Sequence, residues 1–147
     1  MSHSKLISAT VGEAPYVLDG LLSHGTGLEI ATYYTDTGVS SDHVFPLSHL
    51  LGFRFVPCLR DLCDRKIGFF TGSTPSARIS SRVGRPFNTD AIHESWDDIV
   101  RLAASIKAEN VLPSIMLKKL SAHRHQNRLD FALQKIRRVD RTLFTLD

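Results

Sequence analysis

Cysteine is nearly missing from this chain, and what there is forms no motif. Cys58 and Cys63 belong to no CxxC pair and have no histidine at zinc-finger spacing, which argues against a structural zinc site and against a disulfide framework. Long apolar runs are missing too: nothing approaches the roughly 20 consecutive apolar residues that a bilayer crossing requires. The opening stretch "MSHSKLISATVGEAP" has neither the basic nor the apolar region of a secretory leader. No internal repeat is visible. The expected setting is a reduced cytoplasm, with no membrane partner.

What is present fits one ordinary domain. The chain has 147 residues, 42% of them hydrophobic and 22% charged, enough to bury a real core. The formal charge of +3 hides an asymmetry, because residues 101–147 hold ten Lys and Arg against four Asp and Glu, while residues 1–100 hold eight against eleven. Such a basic block suits a phosphate-facing surface, although a solvated helix face explains many stretches of this kind.

Local patterns give a coarse layout. "APYVLDGLL" opens with Pro15 near a first helical turn and places Val17, Leu18, Leu21 and Leu22 on one side, which predicts a short helix ending near Gly25. Residues 28–36, "LEIATYYTD", are β-branched and aromatic and read as a strand that ends on Asp36 at the Gly38 turn. "SSDHVFPLSHLLG" reads as a helix capped at Ser41 or Asp42 and closed by Gly52. "FRFVP" alternates Phe53 and Phe55 about Arg54 as a second strand would, with Pro57 at its end. Residues 71–90 carry Gly, Ser, Thr, Pro and Arg without a period and read as a mobile loop.

The remainder reads as helix. From a cap at Thr89 or Asp90, the residues Ile92, Trp96, Ile99, Val100, Ala103 and Ile106 follow a helical period, which places Trp96 in the core. "PSIMLKKLSAH" begins a helix at Pro113, and Asn127 can cap a last one whose stripe is Leu129, Leu133, Ile136, Val139 and Leu143. Both ends of the chain read as interior sequence.

In one order and at close spacing the chain holds "ISATVGEAPYVLDGLL", "YYTDTG" followed by "DHVF", "LLGFRFVP", "RDL", "HESWDDIVRLAASIK" and "RRVDRTLFTLD". Together these resemble the C-terminal catalytic region of the large replicative, cointegrate-forming transposases of the Tn-three family, over about residues 5 to 147 and most weakly over 66–90. The resemblance implies a mixed, helix-rich α/β fold: a partial ribonuclease-H-like core over 1–70, the loop over 71–90, and a helical insertion over 91–147 that is truncated at its C-terminus. It also implies an Asp, Asp, Glu triad that binds two divalent cations, expected to be Mg2+, and that cleaves and transfers strands at transposon ends. Two-cation phosphoryl transfer needs hard carboxylate ligands converging from separate elements. The implied partners are terminal inverted repeats and target DNA, with the protein nucleoid-associated when bound.

Asp36 in "YYTDTG" matches the family's second catalytic aspartate and is the expected catalytic and metal-ligating residue. The family's first aspartate lies shortly before the "ISATVGEAP" segment and its glutamate beyond "TLFTLD", so neither has a match here. The expectation is that this polypeptide alone performs no strand transfer. The alternatives are a non-catalytic fragment that binds full-length transposase or DNA ends and blocks assembly, and an inactive relic.

Other polar groups carry two readings each. Asp42 and His43 could be a second ligand or a general base, but the sequence there also makes an ordinary helix cap. Asp61 and Asp64 could bind a cation or form surface ion pairs with Arg60, Arg65 and Lys66. Arg54 could reach DNA phosphate or point to solvent. Lys118, Lys119, Arg124 and Arg128 could track a phosphate backbone, with His123 and His125 adding charge at low pH, or could form a solvated helix end.

Overall fold

A computed structural model describes residues 14–22, 32–35, 43–57, 65–123 and 127–146. The elements run α1 (Ala14–Leu22), β1 (Thr32–Thr35), α2 (Val44–Leu50), β2 (Arg54–Pro57), β3 (Ile67–Phe69), a 3-10 helix (Ala77–Arg82), β4 (Val83–Pro86), α3 (Asp90–Glu94), α4 (Trp96–Lys107), α5 (Pro113–Ala122) and α6 (Arg128–Leu146). Among the described residues two parallel strand pairs, β1 with β2 and β3 with β4, sit among six α-helices. The fold is mixed α/β and helix-rich.

One apolar core joins α1, α2, β2, α4, α5 and α6 through residues such as Leu18, Leu47, Phe55, Ile106, Leu117 and Leu133. Phe45 of α2 meets Phe55 of β2 edge-on at 5.7 Å and Phe144 of α6 at 6.0 Å, so three elements share one aromatic contact. Helix α1 packs on α5, where Asp19 Oδ1 accepts a 2.9 Å bond from the Ser114 amide. That carboxylate meets one of the unpaired N–H groups at the start of α5, where negative charge is favoured. Pro113 opens α5 as its spacing predicts, and Asn127 caps α6, its Oδ1 accepting from the Leu129 amide at 2.9 Å.

Helix α2 stops where Gly52 allows it to. The Gly52 N–H donates to the His49 carbonyl at 3.0 Å and the Phe53 N–H to the Ser48 carbonyl at 2.8 Å, the paired bonds of a Schellman motif. Gly52 takes φ +90° to make them, a conformation that costs a side-chain-bearing residue. The chain thereby turns straight from α2 into β2.

Three expectations change. The segment 71–90 is not without structure: it holds the 3-10 helix and β4, and Phe87 is buried at 7% exposure. Its N–H donates to the Phe69 carbonyl at 2.7 Å, and its ring lies 5.0 Å from Phe70. Trp96 is 49% exposed and Val100 46% exposed. The chain leaves helical geometry at Ser95 (φ −108°, ψ 11°), so residues 90–107 form two helices. The buried stripe runs through Ser95, Ile99, Leu102 and Ile106, which leaves Trp96 and Val100 beside it on the exposed flank. In α6 Leu143 is 52% exposed, while Asp130, Asp140 and Thr142 are buried. The expected strand over 28–36 is described only as β1, and Ser41 and Asp42 lie outside the described residues. The N-cap of α2 is His43, with no side-chain capping bond.

Candidate functional site

The parallel pair β1 and β2 is the frame on which the sequence hangs its main candidate. Thr32 pairs with Arg54, Tyr33 with Phe55, Tyr34 with Val56 and Thr35 with Pro57, and α2 forms the crossover between the strands. In parallel sheets the functional crevice lies outside the carboxyl ends of the strands, here Thr35 and Pro57. Asp36 follows Thr35 in sequence and itself lies outside the described residues.

The crossover helix is held to α6 by two histidine–carboxylate pairs. His43, 1% exposed, bonds through Nε2 to Asp130 Oδ1, and Asp130 Oδ2 accepts from Gln134 Nε2 at 2.9 Å. Asp130 is completely buried, and both its oxygens are engaged. His43 is thus a packing and hydrogen-bonding residue of the α2–α6 interface. One and a half turns on, His49 Nδ1 lies 2.7 Å from Asp140 Oδ1. Asp140 Oδ2 is buried and has no hydrogen-bond partner among the described residues. Burial pushes the Asp140 carboxyl above its ordinary value, against the hydrogen bond and charge of His49, which pull it down. Periodicity flagged neither acid, because both occupy core positions that a polar residue hides.

A cleft of about 620 Å³ opens beside the second pair, lined by Arg54 with Phe53, Phe55, His49, Asp140 and Leu146 among others. Arg54 therefore flanks a mainly aromatic hollow. Of the other cations expected to face DNA, Lys118, Lys119 and Arg128 do not line this cleft. Lys118 Nζ donates to the Tyr16 hydroxyl at 2.6 Å and lies 4.8 Å over its ring. Lys119 is exposed on the same helix. Arg128 pairs with Glu94 at 3.0 Å. Arg124 and His125 lie outside the described residues, as do Asp42, Asp61 and Asp64. Lys66 donates to the Ser81 carbonyl at 2.7 Å.

Cations do gather elsewhere: a groove of about 400 Å³ is lined by Arg65, Lys66, Lys135, Arg137, Arg138 and Arg141. The "RRVDR" run was the available signal, but its partners lie some seventy residues away in sequence. Among the described residues no group of three or more His, Cys, Asp or Glu is placed to hold a metal ion. Among them, too, no helix is long and apolar enough to cross a membrane.

Comparison with known proteins gives a consistent result. Residues 1–147 match the Tn3 transposase DDE domain. The chain is 44% identical over 145 residues to the transposase for transposon Tn21 of Escherichia coli, covering 99% of this chain and 15% of that protein. It is 44% identical over 144 residues to the transposase for transposon Tn501 of Pseudomonas aeruginosa, again 15% of that protein. With the transposase for transposon Tn1546 of Enterococcus faecium it shares 38% identity over 145 residues. The chain spans about 15% of the length of these relatives.

Proposed function

Because the chain belongs to the Tn3 transposase DDE domain family, a family whose chemistry implies divalent metal use, we propose that it is part of the catalytic region of a DNA transposase. In the complete enzyme that region acts in strand cleavage and transfer at transposon ends and on target DNA. Asp36 is its second catalytic aspartate and contributes one carboxylate ligand to a cation, Mg2+ by preference for hard oxygen donors. Residues 1–70 belong to a ribonuclease-H-like core and residues 91–147 to a helical insertion before the catalytic glutamate. Arg54, Lys118, Lys119, Arg124 and Arg128 are candidate DNA contacts of this reading.

One observation carries the proposal: the parallel pairing of β1 and β2 around the α2 crossover. It leads the chain into Asp36 at the carboxyl end of a strand, where a rigid sheet can aim a ligand. In this reading Asp36 supplies one ligand, and the family's other two carboxylates have no match in this chain. Bound divalent cations would supply nucleophile activation and leaving-group stabilisation; the chain's own part is to hold Asp36 on a braced strand.

The test is paramagnetic. Mn2+ added to the isotopically labelled chain should broaden amide resonances near Thr35 and Pro57, and Asp36→Asn should abolish that broadening. Broadening centred on another segment, or unchanged by the substitution, refutes the assignment.

A further inference from the structure

We propose that the groove between Arg65–Lys66 and the outer face of α6 is a docking site for the phosphate backbone of duplex DNA, read without regard to base sequence. The inference rests on the transposase reading for its partner class but not on Asp36 or on any metal.

Charge segregation on α6 is the first ground. The helix carries Arg128, Lys135, Arg137, Arg138 and Arg141 against only Asp130 and Asp140. Both acids are buried and turned to histidines of α2. The outer face of α6 therefore carries charge of one sign. An ordinary solvated helix intersperses acids with its bases to gain i,i+4 pairs, which this face forgoes.

The second ground is convergence. Strand β3 docks on α6 through the Gly68 N–H, which donates to Thr142 Oγ1 at 3.2 Å. That contact brings Arg65 and Lys66, at the entry to β3, to the wall opposite α6. Thr142 Oγ1 accepts this bond and so keeps its proton for a further acceptor, and it too lines the groove.

The third ground is that Lys66, Lys135 and Arg138 are held in direction by groups that carry no net charge. Lys66 donates to the Ser81 carbonyl at 2.7 Å. Arg138 donates to the main-chain carbonyls of Arg85 and Pro86 and sits 5.6 Å over the Phe87 ring. Lys135 lies 4.2 Å over the Phe131 ring. Carbonyls and rings fix direction but carry no net charge, and the described residues that line the groove include no carboxylate. Such a field favours a polyanion.

Dimensions fit a duplex strand. Lys135 to Arg141 spans about 9 Å of helix axis at roughly 1.5 Å per residue. A DNA strand carries one phosphate per about 3.4 Å of duplex axis, so two or three phosphates lie alongside.

The experiment is fluorescence anisotropy of the whole chain with a labelled random-sequence 20-base-pair duplex across a series of salt concentrations. The expected result is binding that falls steeply with salt and is indifferent to sequence. Lys135→Gln with Arg141→Gln should flatten the slope of log K against log salt by about 1.8, at roughly 0.9 per phosphate contact, while circular dichroism stays unchanged. Lys66→Gln alone should lower it by about half as much, and serves if the double variant misfolds. Lys107→Gln, at the exposed C-terminal end of α4, should leave the slope unaltered. Loss of binding in that last variant with none in Lys135→Gln and Arg141→Gln overturns the groove while leaving the transposase reading intact. Wild-type chain that binds phosphatidylserine vesicles but no duplex also overturns it. The manganese experiment on Asp36 is independent of all these outcomes.

Discussion

Asp130 is the residue whose loss should be felt furthest. Its carboxylate is fully buried, accepts from Gln134 at 2.9 Å and holds His43, whose side chain is 2% exposed. Asp130→Ala removes both bonds and strands a ring nitrogen in the core. An orphaned neutral polar group costs about 1–3 kcal/mol, and breaking a buried charged pair about 3–5 kcal/mol, so the loss should be about 2–5 kcal/mol. Against an ordinary stability of about 5–15 kcal/mol that is a large share, and at about 2–4 °C per kcal/mol the melting temperature should fall by roughly 5–20 °C. Replacing both partners, His43→Leu with Asp130→Leu, strands no ring nitrogen, releases only the half-buried Gln134 amide and should recover most of the loss. Urea unfolding followed by circular dichroism measures all three variants, with a constant m-value required for the comparison. Because α2 is the crossover between β1 and β2, amide exchange in Tyr33–Thr35 should quicken in Asp130→Ala alone. A loss under about 1 kcal/mol, or a double variant as unstable as the two single variants summed, would refute the claim that this pair braces the strand leading to Asp36.

Two further outcomes follow from the same interface and its neighbour. Asp140 has its carboxyl raised by burial; an acid with a folded pKa above its unfolded value is stabilising when protonated and loses that contribution as pH rises from about the ordinary 3.8 upward through the raised folded value. Asp140→Asn keeps an acceptor for His49 and should flatten that pH dependence and raise stability at neutral pH; urea midpoints from pH 4 to 7 test it, and an unchanged slope refutes it. At Gly68 a Cβ would come within 2.2 Å of the Phe87 ring, so Gly68→Ala should displace Phe87 and cost about 1–3 kcal/mol through overpacking. Loss of the nuclear Overhauser contact between Phe70 and Phe87 would accompany it, and an intact contact with no change in stability would count against the packing described.

The helices and the lead strand of the site were legible because their signals are local. Leu18 and Leu21, Pro113 at the start of α5, Gly52 at the end of α2 and the alternation about Arg54 each declare themselves within one or two turns of chain, and the order of motifs identified the family. Strand β4 did not, because a parallel strand draws its hydrogen bonds from a partner remote in sequence, and Gly-Arg-Pro next to serine-rich chain reads as a turn. Trp96 was misplaced because a polar residue, Ser95, takes the buried position next to it, and apolar periodicity does not see a buried serine. Asp130 and Asp140 look like solvent residues until α2 brings His43 and His49 against them, across 87 and 91 residues of sequence. The sequence by itself determined which segments are helical, which strand leads into Asp36 and which family the chain joins, since period, capping and motif order are properties of neighbours. Only the tertiary structure decided which acids are buried and which cations share a groove, since burial and charge compensation are properties of whatever the docked elements place opposite.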